Sequence, residues 1–111
     1  MPTTKSIGNR GEDIASVYLE QQGFMVLDRN WKTRWCEIDI IASKQECIYF
    51  VEVKYRSSSV QGDGHEYVTA KKQQQMSFAA SVWVQKHDYE GDFQLLVASV
   101  NKEEATEIFE L

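Results

Sequence analysis

Three residues near the middle of the chain combine the acidity and basicity that hydrolysis of a phosphodiester needs. Asp39 lies in EIDIIA (37–42), and Glu52 and Lys54 lie in IYFVEVKY (48–55). Both segments read as strands, joined by a short turn over 43–46. Side chains two apart on a strand share a face. Glu52 and Lys54 therefore point one way, and Val51, Val53 and Tyr55 the other. Glu37 and Asp39 likewise share a face, with Ile38 and Ile40 opposite. Charges inside such apolar sequence lose hydration, so they must be paired or bind an ion. Clustered carboxylates also repel one another. A hard divalent cation, Mg²⁺ or Mn²⁺, accepts oxygen ligands and relieves both costs. Lys54 beside that ion would orient a water or stabilise the charge developing on phosphate, as metal-assisted hydrolysis requires.

This cluster depends on the parity of the turn. A two- or four-residue loop keeps Asp39 and Glu52 on one side of the sheet. A regular three-residue loop would set Asp39 against Val51, unless a bulge restored the register. An even loop or a bulge is predicted.

The flanking elements follow from periodicity. A first helix is predicted from about Asn9 to Gln22, with Ile14, Ala15, Val17, Tyr18 and Leu19 at helical spacing and Gly23 as its stop. Phe24 to Arg29 reads as a short strand, and 30–35 as a connection or bulged edge. After the central hairpin, 56–66 (RSSSVQGDGHE) reads as a loop. A second helix spans about Thr69 to Gln85, capped by Thr69, with Met76, Ala79, Ala80, Trp83 and Val84 as its apolar stripe. Phe93 to Val100 reads as a buried strand and Ala105 to Leu111 as an edge strand. The order is α-β-β-β-α-β-β, a mixed α/β domain over residues 1–111.

Composition bounds the alternatives. The 111 residues carry a net charge of −5, which argues against a nucleic-acid partner until its distribution is considered. Residues 1–72 hold ten Lys/Arg and ten Asp/Glu, whereas 73–111 hold two and seven. If N-terminal carboxylates hold a metal, the remaining surface there is net positive, and the acidic last third is expected to face away from substrate. No apolar run is long enough to cross a membrane, and MPTTKSIGNRGED lacks an apolar signal core. Cys36 and Cys47 are too few for a disulfide framework and too far offset along the hairpin to pair. A cytoplasmic setting is expected. No zinc spacing, phosphate-cradling glycine motif or Ser-His-Asp pattern is present.

An acidic residue, a gap of 12 residues (40–51) and Glu-x-Lys match the PD-(D/E)xK nuclease signature at Asp39, Glu52 and Lys54. More widely, GNRGEDIA (8–15), LDRNWK (27–32), EIDIIA (37–42), FVEVKYR (50–56) and VTAKKQ (68–73) resemble, in order and spacing, the YraN-like family of bacterial proteins. The resemblance implies a restriction-endonuclease-like core, similar to that of Holliday-junction resolvases. It also implies Asp39 and Glu52 as metal ligands and Lys54 as the catalytic lysine. Glu12 would complete the acidic cluster, Glu37 would support it by hydrogen bonding, and Lys72 would match the lysine of the second helix. Two positions depart from the pattern. Cys36 replaces the glycine before EID, and Gln94 replaces the aspartate after Phe93.

Several residues have a second reading. Asn9-x-x-Glu12 is close to a capping box, so Glu12 serves as cap, as ligand, or as both. Lys71 and Lys72 fall in a first helical turn, where cations are disfavoured, and a nearby acidic cluster or phosphate would offset that cost. Both, with Arg56, are candidates for phosphate contact, or are surface cations. Trp31 and Trp35 interleave with Lys32 and Arg34. Trp35 is a candidate for stacking on an unpaired base, whereas Trp31 and Trp83 are expected in the core. His65 is expected as an exposed loop residue and His87 as a charge partner at a helix end. The function expected is metal-dependent cleavage of nucleic acid, DNA foremost, on branched or structured substrates, by a protein that a junction substrate would favour as a homodimer. The alternatives are a non-catalytic nucleic-acid-binding or protein-interaction module and a purely structural ion-pair core.

Overall fold

The computed structural model describes residues 4–56 and 68–111. Its elements run α1 (Thr4–Gln21), β1 (Met25–Lys32), β2 (Glu37–Lys44), β3 (Cys47–Arg56), α2 (Ala70–Lys86), β4 (Asp92–Asn101) and β5 (Thr106–Glu110). The α-β-β-β-α-β-β order is the predicted one. Five strands form one mixed sheet in the order β1-β2-β3-β4-β5. Neighbours β1–β2, β2–β3 and β4–β5 are antiparallel, whereas β3 and β4 are parallel. A parallel pair needs a crossover, and α2 supplies it. His65 and the loop expected at 56–66 lie outside the described residues, apart from Arg56, which closes β3.

The sheet is covered on both faces, so its central strands are apolar almost throughout. Ala15 and Leu19 of α1 pack on Ile40, Ala42, Val51, Leu96, Ala98 and Val100. Ala79, Ala80 and Trp83 of α2 pack on Ile38, Ile41, Ile48 and Phe50. The predicted stripe of α2 is thus the buried one, and Trp31 and Val84 pack at its margin. Thr69 caps α2, its side chain accepting from the Lys72 N–H. His87 closes it, stacked on Trp83 with its Nδ1 2.9 Å from the Trp83 carbonyl.

The β2–β3 turn has the required parity. Lys44 pairs with Cys47, leaving Gln45 and Glu46 as a two-residue loop. Both have positive φ, 52° and 65°, which matches the twist of a tight hairpin. Ile40 therefore lies opposite Val51, and the strand direction carries Asp39 toward Glu52.

Five expectations need correction. The first helix begins at Thr4, so Asn9 is inside it and the Asn9–Glu12 capping box does not exist. Gly8 and Gly11 do not break the helix. Gly11 is buried where α1 crosses β3, and a Cβ there would lie 3.5 Å from Tyr55 Cβ. Val17 is 54% exposed rather than core. Ile38 and Ile40 fall on opposite faces of the sheet, although simple alternation puts them together. The change of face coincides with the end of the β2–β3 ladder at Ile40. Finally, Phe93 and Gln94 are exposed, so burial of β4 begins only near Leu96. β1 also runs on to Lys32, and its irregularity falls between Val26 and Asp28, earlier than expected.

Candidate active site

The hairpin ladder ends where the charged residues begin. Beyond Ile40 and Val51, the Val53 N–H donates to Asp39 Oδ2 at 2.8 Å. A carboxylate thus occupies the place of the next backbone acceptor, and its orientation is held by a main-chain donor. Burial, then the charge of Glu52, push the Asp39 carboxyl up to about 7, while the Val53 N–H works the other way. Glu12 and Glu37 add smaller repulsions.

Glu12 reaches this region from α1. It is 7% exposed, and its Oε1 has no hydrogen-bond partner among the described residues. Burial raises its pKa, the Arg29 guanidinium opposes that rise, and Asp13, Glu37 and Glu52 add to it. Arg29 also pairs with Asp13 at 2.8 Å. The close approach of α1 at Gly11 is what brings Glu12 near the strands.

Glu52 lies on the α2 side of β3, since Val51 and Val53 pack toward α1. Its Oε1 is 2.6 Å from Lys72 Nζ. That ion pair accounts for a lysine in the first turn of α2, where the helix dipole alone disfavours it. Lys71, its neighbour, is exposed. Lys54 is half-buried on β3, level with Ser99 of β4. Arg56 is half-buried opposite Asn101, with Nε and Nη1 enclosed and no hydrogen-bond partner among the described residues. Glu37 is exposed at the start of β2. It lines, with Trp35, Cys36, Glu52, Lys72, Gln75, Met76 and Phe78, a cavity of about 240 Å³.

Trp35 is 70% exposed, with the Arg34 guanidinium 5.3 Å from its ring centre. Cys36 is half-buried, its Sγ 3.4 Å from Thr33 Oγ1, and is not in a disulfide. Sequence reasoning missed Phe78 and Arg29. The available signal for Phe78 was an aromatic residue off the apolar stripe of α2. Arg29 stands in the LDRNWK block, but its effect on Glu12 depends on packing between α1 and β1.

The donor set suits a hard divalent cation in charge and chemistry. Glu12 and Asp39 are hard oxygen donors, poorly hydrated and mutually repelling, and Glu12 leaves a buried oxygen unmatched. Among the described residues, however, no three carboxylates converge into a ready-made cage.

The charge distribution differs in one respect from expectation. Asp88, Glu90 and Asp92 lie at the opposite end of the β3–β4 ladder from Arg56, but Glu103 and Glu104 follow Asn101, the partner of Arg56. Glu104 is paired with Arg10. The acidic last third is therefore split between the two ends of the sheet. Among the described residues, no helix is long and apolar enough to cross a membrane.

Comparison with known proteins places this chain in a family. Residues 11–101 match the model of the uncharacterised protein family UPF0102. A UPF0102 protein of Vibrio vulnificus is 40% identical over 85 residues, covering 77% of this chain and 70% of its own length. One from Geobacter metallireducens is 45% identical over 82 residues, covering 74% and 67%. The matched span contains every charged residue of the candidate site, and the chain belongs to the UPF0102 (YraN) family.

Proposed function

We propose that this protein is a metal-dependent nuclease with a restriction-endonuclease-like core that hydrolyses a phosphodiester in nucleic acid. The observation that carries the reading is the pair of carboxylates, Asp39 and Glu12, drawn out of solvent and each repelled by the charge of Glu52, with Asp39 oriented by the Val53 N–H and a buried Glu12 oxygen left unmatched among the described residues. Asp39 and Glu52 would hold Mg²⁺ or Mn²⁺, with Glu12 as the third acidic group. The bound cation would lower the pKa of a water and stabilise phosphate charge. The Val53 N–H keeps Asp39 oriented. Lys54, on the same face of β3 as Glu52, positions the attacking water and balances charge on the phosphate. Lys72, held at Glu52, is placed to move to a phosphate oxygen when substrate arrives. Lys71 and Arg56 bind phosphates on either side, and Glu37 supports the acidic cluster from the rim of the cavity.

The experiment is cleavage of single-stranded, duplex, flapped and four-way-junction DNA and a structured RNA, with Mg²⁺ and Mn²⁺. Lys54→Ala is expected to lower the rate by about 10²–10³-fold, the range for losing one donor that stabilises developing charge. Glu52→Ala is expected to abolish cleavage, with the far-ultraviolet circular dichroism unchanged. Equal cleavage by wild type and Glu52→Ala, or none by either, would sink the reading.

The Lys72–Glu52 ion pair favours a second reading, a nucleic-acid-binding module that keeps the fold without catalysis. A lysine there already neutralises one acidic group without a metal. This reading predicts nucleic-acid binding that is indifferent to divalent ions and persists, or tightens, in Glu52→Ala.

A further inference from the structure

The cavity beside Glu52 has two aromatic walls that the proposed chemistry leaves unused. Trp35 and Phe78 both contribute to the lining that includes Glu52 and Lys72. The two residues are 70% and 51% exposed, whereas most large apolar residues among those described are covered. Among the described residues, neither ring packs on another. Burial therefore does not explain either aromatic.

The backbone under Trp35 is tied down. Thr33 N–H donates to the Cys36 carbonyl at 2.8 Å, and Thr33 Oγ1 accepts from Trp35 N–H at 3.1 Å and Cys36 N–H at 3.3 Å. Phe78 stands on α2, a helix anchored by Met76, Ala79 and Ala80. Two exposed rings on fixed supports lose little conformational freedom when a flat ligand stacks on them. Arg34 over Trp35 and Lys72 on the cavity wall add positive charge for a flanking backbone phosphate.

We infer that Trp35 and Phe78 form a stacking subsite for one unpaired nucleobase whose flanking phosphate meets the Lys72 ammonium. The cavity, about 240 Å³, suits one base and not a base pair within a helix. A base in a continuous duplex has its faces covered by its neighbours, whereas an unpaired base presents them to aromatic rings. The preferred substrate is then a strand that is single or frayed next to the cleaved bond. The position of that bond rests on the nuclease reading, and the stacking itself does not.

The test measures binding in EDTA, so cleavage plays no part. A fluorescently labelled short oligonucleotide is titrated as single-stranded DNA, single-stranded RNA and duplex DNA of one sequence. Trp35→Ala and Phe78→Ala are each expected to weaken single-strand binding by about tenfold, with little change in duplex binding. Trp35→Phe keeps a ring and is expected to retain most of the affinity. The tighter of the DNA and RNA arms identifies the source of the base. Single-strand affinity unchanged in both alanine variants, or equal loss on duplex, would overturn the subsite. Binding of this pattern in a protein that never cuts would remove the nuclease reading alone, whereas cutting with unchanged binding by both variants would remove the subsite alone.

Discussion

At Asp39 a carboxylate is oriented by a main-chain N–H yet destabilised in its charged form by burial and by Glu52. Its pKa rises from 3.8 to about 7. The folded state therefore holds a proton that the unfolded chain releases between those values, and stability falls as pH rises through that window. Asp39→Asn removes the penalty and still offers an oxygen to Val53. It is expected to stabilise the metal-free protein by on the order of 2–3 kcal/mol at pH 8, and by little at pH 4. Thermal unfolding of both proteins across that range checks it, and a gain independent of pH would refute the assignment. Divalent metal should reverse the order. At Mg²⁺ or Mn²⁺ about 100-fold above Kd, the wild type should gain about 2.7 kcal/mol, while Asp39→Asn gains much less. Adding EDTA should restore the first ranking.

Each element brings one part of the site into place. The cap at Thr69 starts α2 and so sets the height of Lys72 beside Glu52. Thr69→Ala is expected to cost about 1 kcal/mol, read by denaturant midpoint, because an orphan N–H loses its acceptor. Gly11 determines how closely α1 approaches β3. A Cβ there makes ordinary contacts at 3.5–3.8 Å, so Gly11→Ala should be neutral or stabilise by about 0.5–1 kcal/mol through helix propensity. A longer side chain has no room beside Tyr55 and Val53. Gly11→Leu should destabilise by about 1–3 kcal/mol and displace Glu12 from the acidic group. Equal midpoints for the alanine and leucine variants would mean that α1 is not seated on β3 at this residue.

For the molecule as a whole, net charge is a poor guide to surface. The chain is acidic, but three acidic residues, Asp88, Glu90 and Asp92, lie at the far end of the β3–β4 ladder, and Arg10 offsets Glu104 at the near end. Arg34, Arg56, Lys71 and Lys72 remain near the cavity or the end of β3. If these four cations make the phosphate contacts, the affinity for single strands should fall with salt at a log–log slope of roughly −3. A slope near zero would exclude electrostatic capture by this surface.

Much of this was legible before folding. Glu52 and Lys54 on one face of β3 follow from strand periodicity alone, since a strand covered on both faces still alternates its side chains. The stripe of α2, its Thr69 cap and the Gly23 stop are likewise local properties, encoded by spacing and by residues suited to special backbone angles. An even loop or a bulge was implied by the need to keep Asp39 with Glu52, but the turn read over 43–46 is narrower in the structure, with only Gln45 and Glu46 between the paired residues. Other features depended on approach in three dimensions. Glu12 had a second reading as a cap because Asn9-x-x-Glu12 is close to a capping box, and only the seating of Gly11 on Tyr55 shows α1 running through that segment. The switch of Ile38 to the opposite face from Ile40 occurs where the ladder ends, which alternation cannot express. The Lys72–Glu52 pair and the cavity that Trp35 and Phe78 both line join residues far apart in the chain. Residue types and periods are written along the sequence, whereas distances between faces arise only when helices settle on a twisted sheet.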